Sequence, residues 1–141
     1  MYEFINEKLQ ETSLSQSVIP GSGPRHMIFS HDGKYCYLVN EIANSIMVYQ
    51  YEDGHFTLIQ VIHCVPRHFH GFSSAAAIHM TSSGKHIIVS NRGHDSIVLY
   101  RVNKKLEKSL YFIRCILEKD LVILILLMIV ILSLLVKKTI V

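Results

Sequence analysis

Charge is scarce in this chain. Of its 141 residues, 18% are charged and 50% are hydrophobic, which excludes wholesale disorder, collagen and coiled coil. The net charge of +3 is too small and too scattered to mark a nucleic-acid surface, so no nucleic-acid partner is expected. Cysteine is scarce too. Cys36, Cys64 and Cys115 are odd in number and lack a Cys-x-x-Cys spacing. They read as reduced thiols and not as a disulfide frame. No charged stretch followed by an apolar run opens the sequence, and a cytoplasmic location is expected. Gly-x-Ser-x-Gly is missing, which argues against a serine hydrolase. Gly21-x-Gly23 has no third glycine and no strand-to-helix setting, so it is not a nucleotide loop. Arg67-His68-Phe69-His70, with His63 nearby, has no Cys or carboxylate to complete a ligand set. Neither metal nor cofactor is expected.

The middle of the chain is a repeat. With Gly33-Lys34 placed over Gly84-Lys85 the offset is 51, and Asn40 then falls on Asn91, Ser45-Ile46 on Ser96-Ile97, and Tyr49 on Tyr100. Self-similarity of this length marks an array of supersecondary units. Local chemistry makes the units β. Tyr35–Val39 and His86–Val89 are short apolar runs bounded by turn residues, as in strands buried on both faces. Ile46–Tyr51, Thr57–Ile62 and Ile97–Val102 are rich in β-branched and aromatic residues, and Met27–Phe29 and Ala75–Met80 open their units. Asp32-Gly33 and Asp53-Gly54 are hairpin signals, because glycine accepts the positive φ that such turns need. No apolar stripe recurs at helical spacing in this region.

Four antiparallel strands per unit is the blade of a β-propeller. A blade takes about 40–50 residues and a ring at least about four blades. The expected fold is therefore all-β, an incomplete propeller of about two and a half blades. Its parts are a partial blade at 1–24, a blade at 25–66, a blade at 67–113 incomplete at its outer strand, and an apolar tail at 114–141, expected to be helical. Two and a half blades leave open sheet edges and do not close a ring.

At "GSGPRHMIFSHDGKYCYLVNEIANSIMVYQY" and "SSAAAIHMTSSGKHIIVSNRGHDSIVLYRV" the sequence resembles the bacterial 6-phosphogluconolactonase family of seven-bladed propellers, which includes propeller-type carboxymuconate lactonising enzymes. The motifs are G-x-G-P-R-H, D-G-K-Y-x-Y-x-V-N-E, S-A-A-A-I-H and S-N-R-G-H-D-S-I, in that order. The resemblance covers about residues 1–105. It implies metal-free hydrolysis of a sugar lactone, most simply 6-phosphogluconolactone to 6-phosphogluconate in the pentose phosphate pathway, by a fragment of the enzyme. The alternatives are a carboxymuconate cycloisomerase, and a non-catalytic truncated or membrane-tethered piece. The resemblance also implies a histidine from an earlier blade, which this chain lacks.

The residues have a physical reading of their own. Glu41 and Arg92 are repeat equivalents just past an inner strand, where propeller strands end at the central cleft. Arg25 precedes the first strand of its blade near the same rim. Two guanidinium groups bind phosphate or carboxylate and polarise a carbonyl, and a carboxylate between them positions or activates water. By resemblance Arg25, Glu41 and Arg92 match the family's catalytic positions, with Arg25, Arg92, His26 and His94 on the substrate. The plainer alternatives are a structural Glu41–Arg92 salt bridge between blades, and His26, His79 and His94 as turn caps and strand braces. Asn91 and Asp95 are expected to hold the turn after the inner strand.

From Leu121 to Val136, fifteen of sixteen residues are Leu, Ile, Val or Met, broken only by Ser133. As a helix this run would be about 24 Å long, short of the roughly 30 Å apolar core of a bilayer. Lys137 and Lys138 would extend it by snorkelling. The tail is expected to be either a frameshift product or a membrane segment, and a membrane partner is expected only in the second case. In a shifted frame, codons for residues 120–126 are compatible with Leu-Gly-His-Pro-Asn-Phe, and those for 136–141 with Gln-Lys-Asp-Asn-Ser. The family's P-R-[ND]-F and A-N-Q-x-x-D-N motifs fall in about those places.

Overall fold

The computed structural model describes residues 2–12, 15–103 and, as backbone only, 110–113. The run 121–136 with its expected helix, and Cys115, lie outside the described residues. Within them every regular element is a strand, in three antiparallel sheets. No helix among the described residues is long and apolar enough to cross a membrane.

A short hairpin comes first, β1 (Tyr2–Ile5) paired with β2 (Lys8–Glu11), and both strands are exposed throughout. The first four-stranded sheet follows in chain order: β3 (Pro24–Phe29), β4 (Tyr35–Asn40), β5 (Ser45–Glu52) and β6 (His55–His63). The second has β7 (Ser74–Met80), β8 (His86–Arg92), β9 (Ser96–Val102) and β10 (Leu110–Ile113), again in chain order. The outer edge of this second sheet, expected to be incomplete, carries the four-residue β10, with Leu110 opposite Val102 and Ile113 opposite Leu99. Two consecutive up-and-down sheets of four strands are propeller blades in architecture.

The 51-residue repeat reappears as repeated hydrogen bonds. In the β3–β4 turn, Ser30 N donates to Tyr35 O and Gly33 N to Ser30 O, both at 2.9 Å. In the β7–β8 turn, Thr81 N donates to His86 O at 3.0 Å and Gly84 N to Thr81 O at 2.8 Å. Asp32 Oδ1 accepts from Lys34 N at 3.3 Å, and Ser83 Oγ accepts from Lys85 N at 3.4 Å. A short polar side chain that closes on its own backbone is what favours such residues in turns. Asp53 and Gly54 both have positive φ, 46° and 84°. They form the two-residue connection between Glu52 and His55.

The core lies between the two sheets. Tyr37, Val39, Ile46 and Val48 of the first sheet pack against Ala75, Ile78, Ile87, Val89, Val98 and Tyr100 of the second, with Cys64 from the crossover. Polar bonds pin the junction. Buried Asn91 gives its amide to the Cys64 carbonyl at 2.9 Å and to Ser96 Oγ at 3.1 Å. Tyr100 Oη donates to the His63 carbonyl at 3.1 Å. Asn40, the repeat equivalent of Asn91, is equally buried but bonds only Ser45 Oγ, at 3.1 Å.

Asn91→Ala removes an inter-sheet bond and leaves the Cys64 carbonyl without that donor, and should cost about 1–3 kcal/mol in urea unfolding. Asn40→Ala loses an intra-sheet bond alone and should cost about 1 kcal/mol less. Burial pushes the Cys36 thiol from 9.0 to about 11 and the Cys64 thiol from 9.0 to about 12. Both raised values favour the neutral buried form. The stability they confer is complete below pH 9 and is lost as pH rises through about 11 and about 12. At about pH 8 both thiols should resist Ellman's reagent in the folded chain and react on unfolding, as read by peptide mapping that separates them from Cys115.

Candidate functional site

The first sheet ends β4 at Asn40, so Glu41 is the first residue past an inner strand. Arg92 closes β8 at the equivalent place in the second sheet. Glu41 is fixed by its own peptide. Its N–H donates to Gly23 O at 2.7 Å, and its carbonyl accepts from Ala75 N at 3.3 Å, a bond between the two sheets. The side chain therefore starts from a backbone point tied on both sides of the junction.

Arg25 differs from its expected position before the strand. It lies inside β3, where Pro24 pairs with Asn40 and His26 with Val39 while Arg25 itself has no partner across the ladder. This is a β-bulge, a device that re-aims a side chain. The second sheet has an irregularity at the equivalent place, between Ala75 and Ile78. The two bulges meet: Arg25 Nη1 donates to the Ala76 carbonyl at 2.7 Å. Arg25 and Ala76 are themselves 51 residues apart.

The Glu41 carboxylate sits between two guanidinium groups. Arg25 Nε is 3.4 Å from Oε2, and Arg92 Nη2 donates to Oε1. The three side chains are 33%, 37% and 54% exposed for Arg25, Glu41 and Arg92, so solvent and solutes reach them. His26 lies against Arg25, with its ring nitrogens 3.2 Å from Nη1. His94 turns elsewhere. Its Nδ1 is 2.6 Å from Ser96 Oγ, and its ring meets that of Phe69 edge-on at 4.5 Å. No hydrogen bond or ion pair ties His94 to the trio among the described residues. His79 is exposed on β7.

The turn after Arg92 depends on Gly93. Its φ is +84°, and a Cβ there would come within 2.4 Å of the Phe72 carbonyl oxygen. Asp95 Oδ1 accepts from Gly93 N at 3.3 Å. Beside Glu41 opens a depression of about 500 Å³, walled by Glu41, Ile42 and Asn44 on one sheet and residues 71–74 on the other. Asn44 links its two walls by donating to the Ser73 carbonyl at 2.8 Å. Two guanidinium groups around a carboxylate, beside an open hollow that the carboxylate lines, have the chemistry to hold a negatively charged, oxygen-rich small molecule.

Sequence reasoning missed the bulge at Arg25 and the Ala76 carbonyl that it meets. The one trace of either is that the repeat puts Arg25 opposite Ala76 in otherwise parallel segments. A bulge is set by pairing register, which no single strand displays.

Among known families, residues 1–114 match the one described as "Lactonase, 7-bladed beta-propeller". The chain is 41% identical over 92 residues to a Bacillus subtilis protein named 6-phosphogluconolactonase, a stretch of 64% of this chain and 26% of that protein. Among solved structures, a periplasmic gluconolactonase of Pseudomonas aeruginosa matches with a TM-score of 0.72 and 33% identity, over 80% of this chain and 33% of that one. A Lactobacillus plantarum protein matches with a TM-score of 0.75 and 30% identity, over 82% of this chain and 34% of that one. The chain thus spans about a quarter to a third of the length of these relatives. With the match running from residue 1 through the two four-stranded blades to residue 114, the chain belongs to the seven-bladed β-propeller lactonase family.

Proposed function

We propose that the Arg25–Glu41–Arg92 trio is the reacting centre of a lactonase and that its substrate is a phosphorylated sugar lactone, 6-phosphogluconolactone, the lactone hydrolysed in the pentose phosphate pathway. The observation that carries this reading is the Glu41 carboxylate held between two guanidinium groups at the blade junction. As a structural device the cluster is poorly motivated. Ion pairs this exposed contribute about 0–1 kcal/mol, while the junction already has an apolar core and the Asn91 and Tyr100 bonds. The Bacillus subtilis relative's name supports the substrate class.

In this reading Arg25 and Arg92 bind the anionic substrate and stabilise the oxyanion as it forms on the lactone carbonyl. Glu41 accepts a proton from water as the water oxygen bonds to the carbonyl carbon. Collapse of the tetrahedral species breaks the bond to the ring oxygen, and that oxygen takes the proton back from Glu41. The immediate products are a carboxylic acid and a hydroxyl on one open chain, and the acid then loses its proton to solvent to become a carboxylate. His26, packed on Arg25, orients that guanidinium. His94 lies off the trio and is assigned a place at the substrate's edge.

Two measurements on the full chain test this. Calorimetric titration with 6-phosphogluconate should show binding that Arg25→Ala and Arg92→Ala each weaken by about tenfold or more. Glu41→Gln should keep that binding while lactone hydrolysis, followed by acid release, falls by about 10²–10⁴-fold. Product binding unchanged in both arginine variants removes the assignment. Turnover of a carboxymuconate lactone in place of the sugar lactone reassigns the trio to the cycloisomerase reaction.

A further inference from the structure

The crossover between the sheets carries two phenylalanines with opposite fates. Phe69 is packed. Its N–H donates to the Pro66 carbonyl at 3.0 Å, and its ring meets that of His94. It also lies against Gly71, where a Cβ would come within 2.7 Å of Phe69 Cζ. Phe72, three residues on, is 79% exposed, and Ile42 on the facing wall of the hollow is 71% exposed. Water is a poor environment for two large apolar side chains, yet both are firmly seated. Each rests on a glycine. A Cβ on Gly93 would come within 3.0 Å of Phe72 Cδ1, and one on Gly23 within 2.6 Å of Ile42 Cγ1. The same two glycines flank the charged cluster. Gly23 O accepts the Glu41 N–H at 2.7 Å, and Gly93 directly follows Arg92. From Phe72 the backbone runs on between them: Ser74 pairs with Arg92, and Ala75 N donates to the Glu41 carbonyl at 3.3 Å.

The hollow therefore joins a charged edge, through Glu41, to an aromatic and an aliphatic wall. Its volume of about 500 Å³ is in the roughly 300–1,000 Å³ range of small-molecule sites, which combine apolar lining with a few placed polar groups. A bare anion would use the arginines alone. Apolar walls beside them suit a ligand with a charged group and a body that has apolar surface. A six-membered ring of gluco configuration is such a body. Its hydroxyls lie around the equator, and its axial C–H bonds form two apolar faces that suit the electron-rich face of an aromatic ring. We propose that Phe72, with Ile42 opposite, is the ring-binding subsite: one C–H face of the sugar ring packs on Phe72 while Arg25 and Arg92 hold the ligand's anionic oxygens. This subsite rests on the lactonase reading above and adds to it the residue that selects a sugar ring over other anions.

Calorimetric titration of the full chain tests this with two probes: glucose 6-phosphate, a stable six-membered ring that carries a phosphate, and inorganic phosphate. The unaltered chain should bind the sugar phosphate more tightly than phosphate. Phe72→Ala should weaken glucose 6-phosphate by about tenfold or more and leave inorganic phosphate within about twofold of its original affinity. Phe72→Tyr keeps the aromatic face and should keep both affinities. If Phe72→Ala loses the β-sheet circular dichroism of the unaltered chain, Ile42→Ala takes its place, with a loss of about threefold for the sugar phosphate alone. Glucose 6-phosphate affinity that survives Phe72→Ala overturns the subsite and leaves the trio standing. Phosphate affinity that falls in step with it also overturns the subsite, because the loss is then structural. Inorganic phosphate bound equally well by Arg25→Ala and Arg92→Ala is a different result: it removes the trio and, with it, the charged edge that the subsite needs. An unaltered chain that binds neither probe overturns both.

Discussion

The structure depends on the face-to-face contact between its two four-stranded sheets. Each sheet alone has one hydrophobic surface too many for water, and the junction buries one from each. Burying apolar side chains contributes about 25 cal/mol per Å² and has no preferred direction. Direction comes from the polar pins. The Asn91 amide on the Cys64 carbonyl, the Tyr100 hydroxyl on the His63 carbonyl and the Ala75 N–H on the Glu41 carbonyl fix how far one sheet is rotated and slid on the next. The Arg25–Glu41–Arg92 cluster inherits its geometry from that arrangement, since Arg25 and Glu41 come from one sheet and its first inner turn and Arg92 from the other.

Much of the fold was legible in the chain. Strands β4, β5, β8 and β9 stand where apolar and β-branched runs between turn residues put them, longer by one to three residues in all. The repeat told which residues are equivalent, and equivalence in the chain became equivalence in hydrogen bonding: Asn40 with Asn91, Ser30 with Thr81, Asp32 with Ser83. What sequence did not show is pairing register. The bulge that frees Arg25 arises because five residues of one strand meet four of its neighbour, from Pro24 opposite Asn40 to Ile28 opposite Tyr37. Strand β10 was equally hard to see, because an edge strand of four residues carries almost no periodic signal.

The candidate site shows the same division. That Glu41 and Arg92 would be neighbours followed from their equivalent places at the ends of inner strands. That Arg25 would join them through its own bulge, with its guanidinium Nη1 on the bulge of the next sheet, required the paired backbones. The resemblance puts His94 with the arginines on the substrate, while the ring packs on Phe69 and bonds Ser96. Two residues along a tight turn are enough to send a side chain to a different surface, and Gly93 with its φ of +84° makes that turn.

The bulge has an architectural consequence. Each sheet carries, at one fixed slot, a residue lifted out of the ladder, and in the first sheet that residue reaches the next sheet. In the first sheet the slot holds an arginine, and in the second an alanine. A repeated scaffold can thus change what one slot offers by changing a single side chain, with no alteration to the mould that positions it. What such an array presents at a seam is a property of occupancy rather than of shape, so two units of the same form can carry a charge at the slot in one and none in the other.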